Sequence, residues 1–294
     1  MILLYYTFRI MTEQDAFLQS KTEITPQTLK NYKGQYIKWR TALGKDIQDA
    51  SQEDILNQVK KFTANPSSEW TYLNVPIMVL RQFNKDINLI EERRLILKDE
   101  RNCHNEAYKQ EKSATLPSKK IIVDYMKTLF ENKQYFKYII NYLLITYGVR
   151  NKDIDVFITD ATGKGLTDRN LLYVKKNEIE WIRNDYKTSG IYGVKKTIIK
   201  AKPFIEAVKA LPINSWLFGG NTHIAYNSLS SIVARNTYNK LTEGDYFKIL
   251  IRDANDSTNT MKLLELYAFS RGTSVVDIIK FYDTSEKCEM PENI

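Results

Sequence analysis

One change of periodicity constrains this chain more than any other feature. Apolar residues recur at helical spacing over most of the 294 residues, and the pattern turns strand-like only across 171–199. Thr25-Pro26 reads as an N-cap and first helical position. Leu29, Tyr32, Tyr36, Trp39 and Leu43 follow on one helix that Gly44 can end. Ser51 to Asp54 opens a second helix carrying Ile55, Val59 and Phe62. Asn65 to Ser68 is a turn, and a third helix holds Trp70, Leu73, Ile77, Leu80 and Phe83, with Pro76 expected to disturb it. A shorter segment spans Ile87 to Leu97. Residues 12–98 therefore read as a small helical bundle. From 99 to 118 the apolar rhythm stops, so this stretch reads as an interdomain linker.

Residues 119–294 form a second domain. Ile121, Ile122, Tyr125, Met126 and Leu129 mark a helix, and Tyr138 to Tyr147 another, stopped by Gly148. Residues 171–174, 178–182 and 195–199 favour strands, separated by turn residues. Helices return at 203–210, 226–240, 245–254, 259–269 and 274–282. The expected fold class is mainly α with a small antiparallel sheet, an α+β arrangement.

Charge narrows the partners. The net charge is +8, and residues 164–202 alone hold 10 basic and 4 acidic side chains. Such a surface is either a solvated basic face or one that follows a phosphate backbone. Two distant cysteines, Cys103 and Cys288, make no disulfide framework, which fits an intracellular, reducing compartment. With only His104 and His223, a histidine-rich metal site or most histidine-based catalysis is hard to build. The apolar start before Met11 is too short to span a bilayer, and either Met1 or Met11 serves as a start.

Four local features carry chemistry. Arg150 follows the glycine that ends an apolar helix, with Asp153 three residues on. Lys187 lies at a hairpin turn, where it can give up a proton or simply be solvated. Arg252 lies in a later helix. Twenty-one residues beyond it comes Thr273, within Gly272-Thr273-Ser274, and then Tyr282. Each has an ordinary structural reading: a salt bridge for the arginines, core packing for the tyrosine.

Their order and spacing resemble the tyrosine recombinase (phage integrase) family. Thr146 to Asp153 resembles its first arginine box, Tyr186-Lys187-Thr188 its hairpin lysine, and Gly272-Thr273-Ser274 with Tyr282 its Gly-His-Ser…Tyr segment. The upstream bundle resembles the family's core-binding domain. The chain departs from the pattern twice. Ile249, with Lys248 beside it, stands where the family has the histidine of His-x-x-Arg, and Thr273 stands for the histidine of Gly-His-Ser. His223 fits neither position. A related fold, the type IB topoisomerase, tolerates lysine at the first.

The resemblance implies a DNA strand transferase, encoded by a virus or mobile element. Tyr282 would attack a phosphodiester to form a 3′-phosphotyrosine link. Arg150 and Arg252 would clamp the phosphate, Lys187 would protonate the leaving oxygen, and Thr273 and Lys248 would stand at the histidine-type positions. No metal or cofactor is implied. The partners would be double-stranded DNA and further copies of the chain, four at a synapse, with no membrane. Two alternatives remain open: a DNA-binding protein that kept the fold and lost catalysis, and a type IB topoisomerase.

Overall fold

The structure, a computed structural model, describes residues 17, 24, 26–161, 166–219, 224 and 226–282. Met1, Met11, His223, Cys288 and the tail after Tyr282 lie outside them. The chain divides into two compact units, Met1–Lys109 and Gln110–Ile294.

Unit 1 holds α1 (Pro26–Leu43), α2 (Gln52–Phe62), α3 (Pro66–Gln82) and most of α4 (Asn88–Thr115). Two of the starts are chemically marked: the Ser51 hydroxyl accepts the Asp54 N–H, and the Asn65 side chain accepts those of Ser67 and Ser68. Tyr36, Trp39, Ile55, Val59, Leu73, Val79, Leu80 and Ile90 fill its core. Pro76 does not interrupt α3, which runs on through it. A proline removes the N–H that would have bonded the carbonyl four residues back, here that of Tyr72. The Trp39 indole N–H donates to that carbonyl at 3.0 Å, so the lost bond is replaced from the neighbouring helix.

Two expectations change here. The segment beyond Leu97 is not irregular: α4 continues to Thr115, through most of the stretch read as a linker. Its Lys, Arg, Glu and Gln residues are good helix formers, and a helix with no core to face loses apolar rhythm without losing helicity.

The sheet is also not purely antiparallel. Unit 2 contains a five-stranded sheet in the order β4-β3-β2-β1-β5. Its strands are β1 (Val156–Thr159), β2 (Asn170–Val174), β3 (Ile179–Arg183), β4 (Lys195–Ile199) and β5 (Ser215–Trp216). β1 pairs with β2 in parallel, Phe157 opposite Leu171, and the other pairings are antiparallel. β1 and β5 are four and two residues long, too short to show an alternating pattern in sequence.

Helices surround the sheet: α5 (Lys119–Glu131), α6 (Tyr135–Tyr147), a four-residue α7 (Ser189–Tyr192) in the β3–β4 hairpin, α8 (Lys202–Lys209), α9 (Tyr226–Arg235), α10 (Glu243–Asn255), α11 (Thr260–Arg271) and α12 (Val275–Tyr282). Ile139, Leu143, Leu144, Trp181, Phe204, Val208, Phe247 and Leu250 belong to one core. The expected helix over 226–240 ends at Arg235, and the chain then turns with positive φ at Asn239 and Lys240. The outcome is a mostly helical α+β fold with a small mixed sheet. Among the described residues no helix is long and apolar enough to cross a membrane.

Candidate functional site

The site gathers where α6 ends, α11 ends and α12 ends. α6 stops at Gly148, which adopts φ +62, and a Cβ there would come within 2.8 Å of the Phe247 ring. Only glycine satisfies both the backbone and the space. Val149 and Arg150 follow, and Arg150 caps the 3₁₀ turn Asn151–Ile154. Its backbone N–H donates to Asp153 Oδ2 at 2.7 Å, and its guanidinium donates to the carbonyl of Arg271. Burial, then the neighbouring Arg271, pushes the Arg150 pKa down.

Asp153 is 1% exposed. Burial raises its pKa to about 6, against the opposing pull of Arg183 and Arg150.

Arg271 is the centre of the site and was not among the residues singled out in the sequence. It is 2% exposed. Its Nη1 donates to the carbonyls of Gly148 and Val149 at 2.9 and 3.3 Å. Its Nη2 donates to Glu243 Oε1 at 3.0 Å and to the Tyr282 hydroxyl at 3.4 Å. The guanidinium also lies 4.2 Å from the Phe247 ring centroid and 5.0 Å from that of Tyr282. Tyr282 is half-buried, its ring set edge-on to Phe247 at 4.7 Å.

The last turn of α11 explains why so many cations converge. A helix leaves its final carbonyls without partners, and its C-terminal end attracts positive charge. Here four successive carbonyls each accept from a different side chain. Lys195 donates to Phe269, Arg183 to Ser270 at 2.7 Å, Arg150 to Arg271, and the Thr188 hydroxyl to Gly272 at 3.0 Å. Lys195 sits 4.9–5.1 Å from the rings of Tyr186, Phe269 and Tyr192. Burial first and Arg183 second lower its pKa to about 8. Gly272 has φ +65, and a Cβ there would fall 2.3 Å from the Thr188 hydroxyl oxygen.

Of the residues expected from the sequence, the structure brings Arg150 and Tyr282 together around Arg271. Arg252 lies in the last turn of α10, its Nη2 donating to the carbonyls of Leu116 and Pro117. Glu243 starts the same helix, and nine residues at helical rise separate the two by about 14 Å. Lys248 is half-buried in the middle of α10, and Ile249 is packed in the core. Lys187 is exposed on the β3–β4 hairpin. The Thr273 and Ser274 hydroxyls both donate to Asp277, and Ser274 accepts the Asp277 N–H at the start of α12. The sequence did carry one signal for Arg271: a basic residue in the last turn before a helix-ending glycine. Glu243 carried only the weaker signal of an acid in a first turn. Among the described residues no three His, Cys, Asp or Glu side chains cluster as metal ligands would.

No protein-family model matches the chain, and no curated protein matches it significantly. Among solved structures it is similar to the crystal structure of XerA recombinase, at 14% sequence identity over 92% of this chain and 93% of that one, with a TM-score of 0.34.

Proposed function

We propose that the chain is a site-specific DNA recombinase that cuts and rejoins DNA through a 3′-phosphotyrosine intermediate on Tyr282. The observation that carries this reading is the half-buried Tyr282 hydroxyl, bonded to Arg271 and beside Arg150. A phenol placed on guanidinium donors is set to attack a phosphorus whose non-bridging oxygens those guanidinia hold. In the step, the Tyr282 phenol gives its proton to solvent as its oxygen bonds to phosphorus, the bond from phosphorus to the 5′ oxygen breaks, and that oxygen takes a proton. The two guanidinium groups counter the charge that grows on the phosphate. Arg271 takes the clamping role that the family resemblance gives to Arg252. Lys187, exposed on the hairpin, supplies the leaving-group proton. Exchange between two duplexes takes four protomers.

A second reading, a DNA-binding protein without catalysis, is favoured by one specific arrangement. Lys187 is exposed on the β3–β4 hairpin, Lys248 is half-buried in the middle of α10, and the Thr273 hydroxyl is engaged by Asp277.

A nicked suicide substrate, drawn from a pool of the element's own terminal sequences, separates the two. Wild type gives a denaturation-resistant protein–DNA adduct and Tyr282→Phe gives none, while both bind DNA with the same salt dependence. Binding without an adduct in either protein replaces the recombinase reading by the second one.

A further inference from the structure

Arg150 and Arg271 lie close enough for each to feel the charge of the other. Like charges in a shielded site need an anion beside them. In the free chain Asp153 lies beside Arg150, and the anion that bonds Arg271 is Glu243, the first residue of α10. Its Oε1 accepts from Arg271 Nη2 at 3.0 Å, and its Oε2 accepts from the backbone N–H of Asn151. One oxygen on a guanidinium and one on a main-chain N–H is the donor set with which proteins hold phosphate oxygens. The Glu243 side chain is 22% exposed, so solvent reaches it, whereas that of Arg271 is 2% exposed. The Arg271 Nε is buried and has no acceptor among the described residues. The Arg271 Nη2 that holds Glu243 also holds the Tyr282 hydroxyl.

We infer that Glu243 is a displaceable counter-anion: its carboxylate occupies the place of a phosphate group in the free chain and holds Arg271 toward Tyr282 until phosphate takes over. The inference rests on the reading of this site as one that grips DNA phosphate. Glu243 is thus a positioning residue that acts through Arg271. Its charge competes with the ligand, so removing that charge weakens the free protein and strengthens its response to phosphate. A clasp serving only to join α10 to α11 would weaken the fold and leave the phosphate response unchanged.

Thermal unfolding of the full chain in rising inorganic phosphate, against sodium chloride at matched ionic strength, tests this. Glu243→Gln should melt lower than wild type without phosphate and reach half of its phosphate stabilisation at about tenfold lower concentration. If the glutamine variant does not fold, Glu243→Asp serves, because its shorter carboxylate cannot span both donors. It too should respond at lower phosphate than wild type. Superimposable phosphate curves, or phosphate acting no better than chloride, overturn the inference. The nicked-substrate assay on the same proteins keeps the two readings apart. A shifted phosphate response with no wild-type adduct leaves the role of Glu243 standing and removes the recombinase reading. An adduct with unshifted phosphate curves does the reverse.

Discussion

The two units bury charge very differently. Among the described residues of unit 1 a single charged side chain is buried, Glu69, and Arg93 grips both of its oxygens at 2.8 and 2.9 Å. The rest of that core is apolar. Unit 2 buries Asp153, Asp155, Arg183, Lys195, Asp245 and Arg271. Three of these, Arg183, Lys195 and Arg271, meet at the last turn of α11 or just beside it. Desolvating a cation costs several kcal/mol, and apolar side chains of similar size would hold the same helices together as well or better. Unit 1 is therefore built for stability. Unit 2 gives up some stability to hold guanidinium groups at a fixed place, as functional sites do.

The largest expected effect comes from the centre of unit 2. Arg271→Ala leaves Glu243 and the carbonyls of Gly148 and Val149 without their donor, and should cost about 3 kcal/mol in urea unfolding. It should also slow adduct formation by two orders of magnitude or more, the typical effect of losing one charge-stabilising donor. Arg252→Ala should cost about 1 kcal/mol and leave the adduct rate within about threefold of wild type, since Arg252 bonds the carbonyls of Leu116 and Pro117 at the opposite end of α10 from Glu243. Equal adduct losses for both arginines would show that the site includes the far end of α10.

Gly148→Ala should destabilise by about 2 kcal/mol, through its left-handed backbone and the Phe247 contact together. Because Phe247 also backs Tyr282 and Arg271, adduct formation should fall with it. A variant as stable as wild type would break the claim that close packing at Gly148 sets the site.

The pH response should also divide the units. Asp153 titrates at about 6 when folded and near 3.8 otherwise, so the folded state holds the proton more tightly. Its contribution to stability is full below pH about 3.8 and is lost as pH rises through about 6. Across that window Asp153 makes stability fall with rising pH, opposite to ordinary paired carboxylates. Asp153→Asn should remove this slope, read as urea midpoints between pH 4 and 7. A difference between wild type and variant that stays constant over the series would sink the assignment.

The smallest effect belongs to the surface of unit 1. Arg81 and Glu91 form an ion pair with side chains 61% and 43% exposed. Arg81→Ala should cost less than about 1 kcal/mol, as exposed pairs do. A loss matching that of Arg271→Ala would erase the contrast between the units.

Much of this was legible in the residues themselves. Helix starts at Gln52 and Pro66 carry caps, and caps are local chemistry. The glycine that ends α6, and Arg150 after it, can be read for the same reason. So can a tyrosine nine residues after Thr273. The extension of α4 could not be read from rhythm, because a helix without an apolar face has none. Nor could the direction of β1, since strand direction leaves no mark on a four-residue run. Pro76 misled because the compensating donor, Trp39, lies on another helix.

Where most elements begin and end follows from local chemistry, because propensity, capping and periodicity act between residues a few positions apart. The tertiary structure alone decided which arginine meets Tyr282. Arg252 and Arg271 are equally charged and equally helical, and both sit in last turns. Only the packing of α11 against the end of α6 brings the carbonyls of Gly148 and Val149, the carboxylate of Glu243 and the phenol of Tyr282 around one guanidinium and not the other. Long-range convergence of donors and acceptors is a property of packing, and no short stretch of residues encodes it.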